Sequence, residues 1–134
     1  MKKTLFVLSL LMFVNVSFLF AQNIKQDTTS ASKNYNTGKE YYMKMQYDTA
    51  FILFQKASDV YLKYKLWDKY LYSEAEKTSC QNLKYNFNGA FEIINNAFLK
   101  TEIHINKVSP AYAYALFQKG KVFHNQNMPD SALG

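Results

Sequence analysis

Tyr47-Asp48-Thr49-Ala50-Phe51 recurs as Phe87-Asn88-Gly89-Ala90-Phe91 and again as Pro129-Asp130-Ser131-Ala132-Leu133. Each copy is a ring residue, two turn-friendly residues, an alanine and a large apolar residue, and the copies stand 40 and 42 residues apart. Self-similarity at such a period marks a repeat architecture, in which no single unit can bury its apolar face alone. The match extends outward from these cores. Gly38 lies three residues before Tyr41, nine before Tyr47, twelve before Ala50, sixteen before Phe54 and nineteen before Ala57. Thr78, Gln81, Phe87, Ala90, Ile94 and Ala97 keep the same spacings, and Gly120, Phe123, Pro129 and Ala132 begin a third copy.

The spacing within each copy is helical. Phe51, Phe54 and Val60 lie on one stripe with Ala50 and Ala57 between them, and Phe91, Ile94 and Phe98 repeat the arrangement. Small side chains at a crossing point let two helices approach closely, which pairs Gly38 with Ala50 and Gly120 with Ala132. Helix-start residues follow: Asp48 and Thr49, Asn88, and Ser109-Pro110. Helices are expected over 32–46, 49–65, 69–85, 88–104, 110–126 and from 129 onward. Composition agrees, since 4 Gly and 2 Pro in 134 residues are too few for an all-β chain that turns every few residues. A hydrophobic share of 49% excludes a disordered chain, and one cysteine excludes a disulfide scaffold or a cysteine-built zinc site.

The first residues carry a separate signal. Lys2 and Lys3 precede an apolar run from Leu5 to Phe20 interrupted only by Ser9, Asn15 and Ser17, and Ala21 closes it. A basic start, an apolar stretch and a small residue read as a secretory signal peptide over 1–21, with an uncleaved membrane anchor as the rival. The run is shorter than the ~20 apolar residues that span a bilayer comfortably. Residues 22–31 are mostly polar and read as a flexible leader. Without residues 1–21, 14 lysines face 10 acids for a net charge of +4, and the lysines are scattered. Arginine, which makes the commonest specific base contact, is absent, so no nucleic-acid partner is expected for this segment.

The series Gly38, Tyr41, Tyr47, Ala50, Phe54 and Ala57 resembles the tetratricopeptide repeat, with its small–aromatic–aromatic–Ala–apolar–Ala order. The second copy departs at Thr78 and Gln81, where that pattern has a small and an aromatic residue. The resemblance implies an all-α, right-handed superhelical array of antiparallel helix hairpins over 32–134, divided as 32–66, 70–106 and an incomplete 110–134. About two and a half repeats fit in this length. A terminal repeat normally needs a polar capping helix. An array that breaks off one turn into its sixth helix is expected of the front end of a longer protein. The resemblance also implies a concave groove that binds a protein or peptide, lined by the first helix of each pair. Its positions would be Tyr35, Lys39, Tyr42 and Met43 in the first repeat. Ser79, Asn82 and Leu83 follow in the second, and Phe117, Lys121, His124 and Asn125 in the third. The lysine–asparagine set that clamps peptide carboxylates in some relatives is not reproduced.

Chemistry-bearing motifs are absent. His104 and His124 are 20 residues apart without a carboxylate at ligand spacing, so no metal is expected. Cys80 has no neighbouring histidine, and Glu74 and Glu76 fall on different faces of one helix. No Gly-x-Ser-x-Gly elbow and no Gly-rich phosphate loop occurs, so neither catalysis nor a cofactor is expected. The reading is an exported, non-enzymatic scaffold or adaptor module of bacterial type. The alternative is the sensory or substrate-recruiting front of a caspase-like peptidase, a histidine kinase or a transcriptional regulator.

Overall fold

The computed structural model describes residues 1–128, and these are all-helical. Five helices follow one another: α1 (Lys2–Met43), α2 (Tyr47–Lys63), α3 (Trp67–Leu83), α4 (Phe87–Thr101) and α5 (Pro110–Gln126). The helix expected from Pro129, with Ala132 and Leu133, lies outside the described residues.

Residues 22–31, expected as a flexible leader, are instead the middle of α1. They contain neither Gly nor Pro, and the Thr28 and Thr29 hydroxyls donate back to the carbonyls of Ile24 and Lys25. Tertiary contacts hold them too: Asp27 accepts from Lys63 and from the Tyr64 hydroxyl at the end of α2, and Ala31 is fully buried. A polar composition is a poor guide here because tertiary contacts hold in a helix a segment whose Asn, Asp, Thr and Ser residues have weak helix propensity of their own.

The three connections from α1 to α4 have one geometry. In each, the residue after the C-cap is left-handed: Met45 at φ 60°, Lys65 at φ 56° and Tyr85 at φ 61°. Its amide donates three residues back, to Tyr42, Leu62 and Asn82 respectively, and the next amide donates five back, to Tyr41, Tyr61 and Gln81. This is the Schellman closure, which satisfies the last carbonyls of a helix and usually recruits glycine. The compact closure moves the second, third and fourth helices to start one or two residues earlier than expected. It also shifts the cap of α4 from Asn88 to Asn86, whose side chain accepts from the Gly89 amide at 3.2 Å. Ser109 caps α5 as anticipated, with Pro110 in the first turn.

Contacts fix the directions of the helices. Asp27 meets Lys63 and Tyr64 while Gly38 meets Phe54, so α1 and α2 run antiparallel. Tyr35 and Tyr42 of α1 meet Glu76 and Ser79 of α3, and Tyr114 and Asn125 of α5 meet Glu76 and Asn82, so α1, α3 and α5 run parallel. Ala50, Phe54, Ala57, Ala90, Ile94 and Ala97 are all fully buried. Gly38 is buried as well, but its close neighbour is not Ala50. A Cβ there would stand 2.9 Å from the Phe54 ring and 3.3 Å from the Leu53 Cβ. Among the described residues, nothing lies within 4 Å of where a Cβ at Gly120 would stand, and its expected partner Ala132 lies outside them.

Helix α3 is the centre of the fold, packed against α2, α4 and α5, and every residue from Ser73 to Cys80 is buried. Much of this stretch is polar, so its stability depends on hydrogen bonds being made, because an unpaired buried group costs about 1–3 kcal/mol. Ser73 and Thr78 donate to the Lys69 and Glu74 carbonyls. Glu74 takes Lys77 at 2.8 Å and the Ser58 hydroxyl on the α2 side, and the Lys77 ammonium lies 5.5 Å from the Phe51 ring centre.

Candidate functional site

The face of α3 opposite Glu74 carries the second buried carboxylate. Glu76 accepts hydrogen bonds from the Tyr35 hydroxyl of α1 and the Tyr114 hydroxyl of α5, each at 3.1 Å, so one oxygen ties three helices together. Gln118 donates to the Tyr114 hydroxyl at 2.9 Å, and the Tyr72 and Tyr114 rings lie 5.6 Å apart. One turn along, Tyr42 and Ser79 share a hydroxyl–hydroxyl bond of 2.7 Å. Further on, Asn125 donates to the Asn82 side-chain oxygen at 3.2 Å. A polar row therefore crosses from α1 to α5 over α3, set by the common register of three parallel helices.

Electrostatics around Glu76 are mixed. Burial pushes its carboxyl above the usual range, the two tyrosine hydroxyls work against that shift, and the Lys39 and Lys121 charges add to their pull. Burial, reinforced by Glu76, raises the Tyr35 and Tyr114 hydroxyls well above their ordinary value. These groups are held as neutral donors. Two buried side-chain atoms on this face have no hydrogen-bond partner among the described residues: the Asn82 Nδ2 donor and the Gln118 Oε1 acceptor. On the α2 side of α3, burial pushes the Cys80 thiol up to about 12, so it is not poised as a nucleophile. Among the described residues, no three His, Cys, Asp or Glu side chains cluster to hold a metal.

Of the residues expected to line the groove, the structure brings six together. Tyr35, Tyr42, Ser79, Asn82 and Asn125 are hydrogen-bonded across helices, and Lys121 faces Glu76 through its charge. Lys39 is exposed at the rim, with its ammonium 6.0 Å from the Tyr35 ring centre and its charge acting on Glu76. Met43 and His124 are exposed, and Leu83 is half-buried at the end of α3, none of them bonded into the row. Phe117 is exposed as well, and the Lys121 ammonium lies 5.6 Å from its ring centre. Sequence reasoning passed over Glu76, Tyr72, Tyr114 and Gln118. The available signal was position: Glu76 stands one turn before Ser79 on the same face of α3.

The N-terminal half of α1 stands apart from this face. It is the one helix among the described residues long and apolar enough to cross a membrane, and its most apolar window is entirely unburied. Comparison with protein-family models, with curated proteins and with solved structures gives no match to this chain.

Proposed function

We propose that this chain is an exported helical-repeat module, of the kind the tetratricopeptide resemblance implies, that binds a peptide along the α1–α3–α5 face and performs no catalysis itself. The observation that carries the reading is the polar row centred on Glu76, where three parallel helices present tyrosine, lysine and amide side chains to one strip of surface. Near-identical turns after α1, α2 and α3 support a repeating hairpin, since they impose the same relation on each successive helix pair. Tyr42 and Tyr72 offer flat apolar contact at low entropic cost, and Lys39 and Lys121 favour a ligand with acidic side chains. The apolar start of α1 supplies the export signal or anchor.

The test is selection of peptides from a displayed random library on the immobilised chain, followed by affinity measurement against Lys39→Ala, Lys121→Ala and Asn125→Ala. Selected peptides should be enriched in Asp or Glu and lose about tenfold in affinity or more, equivalent to ~1.4 kcal/mol, with at least one of the variants. Peptides that bind wild type and all three variants equally would place binding on another surface.

A further inference from the structure

The apolar part of α1 leaves the bundle from one end, and that end has a composition of its own. Asp27 lies level with Lys63 and Tyr64 at the close of α2, so everything before it projects past the helices. The α2–α3 turn shares this level, and so does the connection from α4 to α5, because the Trp67 and His104 rings stack at 4.3 Å with 2° between their planes. On that connection Ile103 and Val108 are 86% and 85% exposed, and Leu99 at the end of α4 is 70% exposed. Lys65, Lys100 and Lys107 are exposed here too, and the salt bridge between Lys63 and Asp27 leaves Asp68 and Glu102 as the acids facing them.

Distance links this surface to the apolar helix. Phe20 ends the apolar run seven residues before Asp27, about 10 Å along a helix axis. That is close to the screening length of physiological salt, so lysines at the level of Asp27 feel the charge of any surface in which the run is embedded. No flexible linker intervenes, because α1 is unbroken from Lys2 to Met43. We propose that, with α1 retained as an anchor, this end of the bundle docks on the bilayer. Ile103 and Val108 enter the headgroup layer, and Lys65, Lys100 and Lys107 face anionic lipid. The inference is independent of the peptide-binding face, which runs along the helices rather than across their ends.

Trp67, the sole tryptophan, sits at this end and reports on it directly. The full chain is reconstituted into vesicles of phosphatidylcholine and phosphatidylglycerol, with or without lipids brominated near the headgroup end of the acyl chain. Docking predicts loss of most of the Trp67 emission in brominated vesicles. Ile103→Asp with Val108→Asp should restore it while the circular dichroism stays unchanged, because both side chains are exposed. Independently, Lys100→Gln with Lys107→Gln should lower the docked-to-free ratio by about fivefold for each lysine removed. Emission unaffected by bromination, or quenching undiminished in either double variant, would overturn the proposal.

Discussion

Met45, Lys65 and Tyr85 occupy backbone conformations that favour glycine, and replacing them should stabilise the protein by a calculable amount. A non-glycine residue in the left-handed region costs about 1–2 kcal/mol through the clash of its Cβ with the following carbonyl oxygen. Glycine removes that clash but adds about 0.5–1 kcal/mol of backbone entropy to be lost on folding. The net gain for Met45→Gly is therefore about 0.5–1 kcal/mol, since Met45 is 76% exposed and gives up little packing. Lys65→Gly should match it, because Lys65 is also exposed. Tyr85→Gly should gain less, because the Tyr85 ring packs edge-on to Phe87 at 6.2 Å and that contact is lost. Lys65 sits at the other end of the bundle, so its gain should add to either of the others, whereas the Met45 and Tyr85 turns are joined by the Lys84–Asp48 ion pair and should couple. Urea unfolding in detergent, followed by circular dichroism, reads the change as a raised midpoint at constant slope. A lowered midpoint in Met45→Gly at unchanged slope would refute the reasoning, since it would mean that the methionine side chain outweighs the backbone term.

Ala90 is fully buried at the start of α4, so Ala90→Leu should cost about 1–3 kcal/mol by overpacking, seen as a lower melting temperature. Glu76 has its pKa raised by burial, so the native state holds its proton more tightly than the unfolded chain, and its ionisation removes stability as pH climbs from the ordinary carboxylate value through the raised one. Asp27 acts with opposite sign: its pKa is lowered by the Tyr64 hydroxyl and then by Lys63, and its contribution is lost as pH falls. Glu76→Gln should therefore melt higher than wild type at neutral pH, with the difference shrinking on acidification, while the Asp27 contribution cancels between the two proteins; a constant difference at all pH values would contradict the assignment.

What could be read in the sequence was whatever burial imposes on apolar residues. Ala50, Ala57, Ala90 and Ala97 are fully buried, and their recurrence at a spacing of 40 was visible in the sequence. Helix α3 left no such trace. It is buried on several faces at once and meets its neighbours through Ser79, Glu76 and Glu74 as well as through Leu71 and Ala75, so no single apolar stripe marks it. A hydrogen bond between helices needs two partners that lie far apart in the chain, and neither one identifies the other. Tyr35 was expected on the groove face and Tyr114 was legible only as an aromatic, until the register of three parallel helices aimed both at one carboxylate. The turns fall between these cases. Their left-handed residues are Met, Lys and Tyr, which carry no conformational signature, yet the helices they introduce open on Tyr47, Trp67 and Phe87, one aromatic every twenty residues. That half-period is finer than the repeat of 40 and includes α3, the helix hydrophobic periodicity misses. It follows from geometry, because seventeen residues of helix in α2 or α3 and three of closing turn carry the chain from one end of the bundle to the other, where the next, antiparallel helix opens. Had the opening aromatics been aligned before the alanines, they would have placed the helix boundaries, but the carboxylate at the centre of the polar row would still have required the third dimension.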